Sequence, residues 1–203
     1  MVHKFWPHNG TLAQYILDQF EPGYVGYGID VGASDGMSIN TTFALELSHR
    51  WTIISVEANP GFAPMLKERR AFVEMCACSD KPGTGTFHIH EDNWESFSSL
   101  APKPQNDMYP IGIRWNTVEV PICTVDELLN KWEFPRLDLL CVDTEGTELD
   151  VLKGANIAFW RPKVIVTECW EITGPIDPYL EALGYKKTAR SVDNDVFILK
   201  ETT

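Results

Sequence analysis

No apolar run in this chain approaches the roughly 20 residues that a membrane helix needs. The longest are short, such as Val164-Ile165-Val166. The N-terminus, MVHKFWPHNG, lacks the apolar core of about seven residues that a secretory leader carries, so no leader is expected. Histidine is scarce: His3, His8, His49, His88 and His90 are the whole set, and none follows residue 90. Cysteine is odd in number, with Cys76, Cys78, Cys123, Cys141 and Cys169. Cys76 and Cys78 sit too close for a Cys-x-x-Cys zinc arrangement. The five read as reduced, mostly buried thiols of a cytoplasmic protein. Positive charge is also in deficit: the net charge is −12 and the pI about 4.8. Long nucleic acid is therefore not an expected partner, because a groove along a phosphate backbone wants clustered Lys and Arg. The two small basic clusters, Lys67, Arg69, Arg70 and Lys186, Lys187, Arg190, read as solvated faces.

What remains is an ordinary globular composition in 203 residues, enough for one substantial domain with a helical N-terminal segment over 1–25. Apolar strands alternate with helices. Helices are expected over 11–20, 38–49, 62–71, 125–132, 148–155 and 177–183. Strands are expected at 27–31, 52–57, 72–78 (FVEMCAC), 86–91, 117–123, 138–142, 163–167, 185–189 and 195–200. Unalternated strands such as TIISV and DLLCV fit burial on both faces. The pattern predicts an α/β domain with a mostly parallel sheet between helices. The last two strands are too close for a crossover, so the sheet should end antiparallel. Residues 92–116 are rich in Pro, Asn, Ser and aromatics, a long segment that reads as either functional or partly mobile.

The segment DVGASDG, residues 30–36, contains the G-x-S-x-G of a nucleophile elbow around Ser34. That reading fails, because an elbow needs its acid and then its histidine later in the chain. The alternative is a cofactor turn at a strand end. Asp30, Glu57 and Ser79-Asp80 close three successive strands, where a ligand lying across open parallel strands is touched. Glu57 can accept both hydroxyls of a ribose, while Gly32 and Gly36 permit close backbone approach. The turn is not G-x-G-x-x-G, and Asp35 would repel a pyrophosphate. Carboxylates suit a cation such as the sulfonium of S-adenosylmethionine.

Four segments, IDVGASDGMSIN (29–40), VEANP (56–60), ACSD with Gly83 (77–83) and VDTEGTELDVLKGA (142–155), resemble the FkbM-type methyltransferases. VIVTE (164–168) matches the strand of that family that ends in glutamate. The family usually has Asn-Ile-Gly where Ser34-Asp35-Gly36 stands, Phe-Glu-Pro where Val56-Glu57-Ala58 stands and Lys-Ile-Asp where Cys141-Val142-Asp143 stands. The resemblance implies a single Rossmann-like three-layer domain with a seven-stranded sheet. It implies S-adenosyl-L-methionine as cofactor, held around Asp30, Gly32, Ala33, Ser34, Asp35, Glu57, Ala58, Cys78, Ser79, Asp80 and Asp143. The implied reaction is O-methylation of a hydroxyl on a sugar, glycan or small natural product.

An alcohol acceptor must lose its proton. Asp143, Glu145 and Glu168 are the candidate catalytic carboxylates, with Asp143 first. Asp143-Thr144-Glu145 can also be read as a divalent-metal site, and Glu148 as a mere helix start. Trp94, Tyr109 and Trp115 can stack on a sugar, and Ser98 and Ser99 can bond to a ligand. Two rival readings stay open: a cofactor-binding module without turnover, and an NAD-linked oxidoreductase.

Overall fold

The computed structural model describes residues 3–4, 9–38, 40–90, 98–101, 114–169, 175–191 and 194–200. Its elements in chain order are β1 (His3–Lys4), α1 (Asn9–Leu17), β2 (Tyr27–Val31), α2 (Thr41–His49), β3 (Thr52–Val56), α3 (Ala63–Arg69), β4 (Phe72–Glu74), β5 (Ala77–Cys78), β6 (Gly83–His90) and β7 (Trp115–Cys123). There follow α4 (Val125–Lys131), β8 (Leu139–Val142), α5 (Glu148–Lys153), α6 (Ile157–Trp160), β9 (Val164–Glu168), α7 (Ile176–Ala182), β10 (Tyr185–Arg190) and β11 (Asn194–Leu199).

The main sheet runs β1-β10-β11-β9-β8-β2-β3-β4. Strands β4, β3, β2, β8 and β9 are mutually parallel, and β11 is antiparallel to both of its neighbours, β9 and β10. The expected seven strands are present, and the two-residue β1 adds an eighth at the edge beside β10. Adjacent residues of each strand serve opposite helical layers, as the strand period requires. Ile29, Val31, Ile54, Val56, Leu140, Val142 and Ile165 pack with Leu128 and Leu129 of α4, Val151 of α5 and Leu180 of α7. Ile53, Leu139, Cys141, Val164 and Val166 pack on the other side with Leu12 and Ile16 of α1 and Leu45 of α2.

Local chemistry sets the helix starts. Asn40 stands at the N-cap of α2 and its side chain accepts from the Phe43 N–H at 2.9 Å. Thr124 and Glu127 form a reciprocal capping box at α4. All five cysteines are thiols, with Cys76, Cys78 and Cys141 buried. Burial pushes the Cys123 thiol up to about 12, helped by its neighbour Cys76. Among the described residues, no helix is long and apolar enough to cross a membrane.

Two expectations need correction. FVEMCAC is not one strand. It divides into β4, an edge strand of the main sheet, and β5, which pairs with β7 in a separate three-stranded sheet of order β5-β7-β6. Nor are Arg70, Lys187 and Arg190 simply solvated. Arg70 is 4% exposed. Lys187 and Arg190 converge on the buried Asp195, at 2.8 Å and 2.6 Å.

Asp195 carries a testable stability term. Burial works against its ionised form, but the hydrogen bonds and charges of Arg190 and Lys187 outweigh that and hold its carboxyl below the usual range. A depressed folded pKa gives stability that is present above the unfolded value and lost as pH falls through the folded one. Asp195→Asn should therefore cost about 2–3 kcal/mol at pH 7, less than for a wholly buried pair because Arg190 is half-exposed. Denaturant titrations of both proteins at stepped pH should show that gap closing as pH falls below the ordinary carboxylate range.

Candidate active site

Between β2 and β8 the sheet reverses direction of growth, since β3 and β4 were added on one side of β2 and β8 and β9 on the other. Crevices beyond the carboxyl ends of strands at such a point are where open α/β sheets take ligands. The turn after β2 lies there. Its Gly32 and Ala33 N–H groups donate to the Val56 carbonyl of β3 at 2.9 and 3.0 Å, and Asp143 N–H after β8 donates to the Val31 carbonyl at 2.9 Å. Gly32 has φ +92°, and a Cβ on it would run into the Asp143 carbonyl oxygen. Only glycine meets both conditions. Ser34 and Gly36 also have positive φ, at 52° and 79°.

Glu57, just past β3, is 7% exposed. Its Oε2 accepts from Ser34 N–H at 2.8 Å and its Oε1 from Asn59 N–H at 2.7 Å. Each oxygen retains acceptor capacity, which suits a pair of ribose hydroxyls. Burial lifts the Glu57 carboxyl above its ordinary range, against the pull of those N–H groups.

The other expected tips are arranged differently. Asp30 is buried, and its Oδ2 accepts from Asn40 Nδ2 at 2.8 Å and Thr42 Oγ1 at 2.7 Å. Asp35 turns back on its own loop, accepting from Met37 N–H, Ser38 N–H and Ser38 Oγ, and pairs with Arg69 at 2.7 Å. Its carboxylate thus closes the turn. The third parallel strand ends at Glu74, not at Ser79-Asp80, and the Glu74 carboxylate takes Trp132 Nε1 and Lys131 Nζ, both at 2.7 Å. Cys78 is buried in the separate sheet, Ser79 N–H donates to Cys123 O, and Asp80 is exposed beside Lys81. Ala58 packs under that sheet with Ala77, Phe87 and Val120. Gly154 lets α5 approach this turn, since a Cβ there would meet Ser79 O.

Asp143, Glu145 and Glu168 come together. One carboxylate oxygen of each lies within 4.8 Å of the others. Asp143 is exposed at the end of β8, Glu168 is 3% exposed at the end of β9, and Glu145 is 9% exposed in the loop between β8 and α5. Glu145 has φ +59°. Glu148, read from sequence as a helix start, is fully buried. Its Oε1 accepts from Thr144 N–H, Thr144 Oγ1 and Gly146 N–H at 3.0–3.1 Å. It thereby shapes the loop that presents Glu145, a role that helix periodicity does not reveal. Three carboxylates this close form a donor set of the kind that can hold a divalent cation or orient an acceptor hydroxyl.

The second sheet reaches this cluster. Ser99 pairs with His88 at the edge of β6, and its hydroxyl donates to Thr144 O at 2.8 Å. Ser98 Oγ accepts from His90 N–H, and Trp115 meets the His90 ring edge-on, with centroids 4.8 Å apart. Trp94 and Tyr109 lie outside the described residues.

Residues 30–187 match the methyltransferase FkbM domain model, and the chain belongs to that family. It is 27% identical over 188 aligned positions to "Methyltransferase sdnD" of Sordaria araneosa, taking in 76% of this chain and 70% of that protein. Among solved structures it resembles the FkbM methyltransferase of Methylobacillus flagellatus KT, with TM-score 0.55 and 14% identity. That match covers 86% of this chain but 43% of the solved one, so the chain spans less than half of that relative. The METTL16 methyltransferase domain is also similar in fold, with TM-score 0.51, 9% identity, and 95% and 67% coverage. What these comparisons share is a Rossmann-like methyltransferase domain, which sets the nicotinamide reading aside.

Glu57→Ala should weaken S-adenosylhomocysteine binding about 10- to 100-fold, the loss of charge-assisted hydrogen bonds. In the wild type, affinity should fall as pH drops, and at a higher pH than for an ordinary glutamate, because burial favours the protonated carboxyl. Calorimetry at stepped pH checks this; Glu57→Gln should flatten the profile.

Proposed function

We propose that this protein is an S-adenosylmethionine-dependent O-methyltransferase acting on a hydroxyl of a sugar, glycan or small natural product. The observation that carries the proposal is the bunching of Asp143, Glu145 and Glu168 beside the turn that Glu57 braces. When bound, the cofactor supplies an electrophilic methyl group on a positively charged sulfur. Glu57 holds the ribose hydroxyls, and Gly32 lets the turn lie close against the exit of β8. Asp143 would orient the acceptor hydroxyl and accept its proton, with Glu168 the second candidate for that role. The leaving group departs neutral, so placement and exclusion of water are the main requirements.

Within 92–116, the expected acceptor segment, Ser99 lies beside the acidic cluster through its hydrogen bond to Thr144 O. The same cluster supports a second reading, in which Asp143, Glu145 and Glu168 would hold a divalent cation that polarises the acceptor hydroxyl. The thiol state of the cysteines and the acidic balance support a cytoplasmic protein with a small-molecule or glycan acceptor and no long nucleic acid. A methyltransferase domain that binds the cofactor without turnover is the competing outcome.

Incubating the protein and labelled methyl donor with glycan and metabolite pools, followed by mass spectrometry, should show one labelled methyl on an oxygen. Asp143→Asn should lower turnover about 100-fold or more with cofactor affinity little changed, the usual scale for general-base loss. Unchanged product formation removes the base role. Activity that survives EDTA removes the cation reading, and activity lost to EDTA and restored by Mg²⁺ or Mn²⁺ establishes it.

A further inference from the structure

Arg70, at the C-terminal end of α3, reads in the sequence as part of a solvated basic cluster, yet its side chain is wholly buried. All three of its nitrogens are committed. Nε faces Glu46 Oε2 of α2 at 2.6 Å. One terminal nitrogen donates to the Gly36 carbonyl and to Asn40 Oδ1, both at 3.1 Å, and the other to Thr42 Oγ1 at 2.9 Å. Asn40 and Thr42 in turn donate to Asp30 Oδ2. Asn40 also donates to Ala33 O at 3.3 Å. The guanidinium plane lies 5.9 Å from the Phe43 ring centroid.

We infer that Arg70 is a positioning residue for the cofactor: one guanidinium fixes the exit of the Gly32–Gly36 turn, the cap of α2 and, through Thr42 and Asn40, the Asp30 carboxylate. This rests on reading that turn as the cofactor site. The turn gains from such a brace, because Ser34 has φ +52°, a conformation that a non-glycine residue keeps only where its surroundings determine it. Gly36 is shaped to the same contact, since a Cβ on it would come within 2.9 Å of Arg70 Cγ. A lysine cannot replace the fork, having a single nitrogen to place among partners on several sides. The neighbouring Arg69 grips the turn from outside, through Asp35 O and Asp35 Oδ2.

The test separates bracing of the site from bracing of the fold. Arg70→Lys, checked for folding by circular dichroism, should raise the Kd for S-adenosylhomocysteine about tenfold through lost preorganisation. Glu46→Gln, which loosens the same arginine only on its side away from the turn, should lower Tm with Kd within twofold. Thr42→Val removes the relay to Asp30 without removing the charge, and should raise Kd about fivefold; it decides the matter if Arg70→Lys does not fold. Folded Arg70→Lys and Thr42→Val proteins with wild-type Kd overturn the inference, as does a Kd that merely follows Tm across all three variants. A wild type that binds no S-adenosylhomocysteine fails at the earlier step, the cofactor reading itself.

Discussion

The backbone approach of Gly32 to the carbonyl of Asp143 is the constraint from which the rest of the site follows. It brings the turn after β2 against the exit of β8, the two neighbouring strands at which the sheet changes its direction of growth. The turn carries Glu57's partner Ser34, and the exit of β8 carries the first of the three clustered carboxylates. A side chain at position 32 would pry these apart. The hydrogen bonds from Gly32, Ala33 and Asp143 to the carbonyls of neighbouring strands fix the same seam in register.

Around that seam the acidic residues divide by environment, although all of them look alike as letters. Asp30, Asp35 and Glu74 are each answered by specific donors and serve the scaffold. Glu57 is braced by two backbone N–H groups at the rim of the turn. Asp143, Glu145 and Glu168 are brought together, with one carboxylate oxygen of each within 4.8 Å of the others.

Much of this was legible in the sequence. The parallel strands were visible because burial on both faces leaves unalternated apolar runs, and their last residues marked Asp30, Glu57, Asp143 and Glu168. The capping box at Thr124 was equally local. The break inside FVEMCAC was not, since an apolar run bears no sign of leaving one sheet for another. The three-stranded sheet depends on β6 finding β7 across a long intervening segment, a pairing that no window of sequence contains. Arg70 was hidden for a different reason. Beside Lys67 and Arg69 it reads as surface charge, and only the packing of α3 against the turn reveals five N–H donors turned inward. The burial of Glu148 escaped in the same way.

The closing hairpin has a consequence for how the molecule is made. Strand β11 is later in the chain than β10, yet it lies between β10 and β9. Until it arrives, the outer edge of β9 has no neighbour, and β10 has nothing to attach it to the sheet. During synthesis, then, the half of the molecule that carries Glu168 completes last, and the nascent chain exposes an adhesive strand edge to the crowded cell.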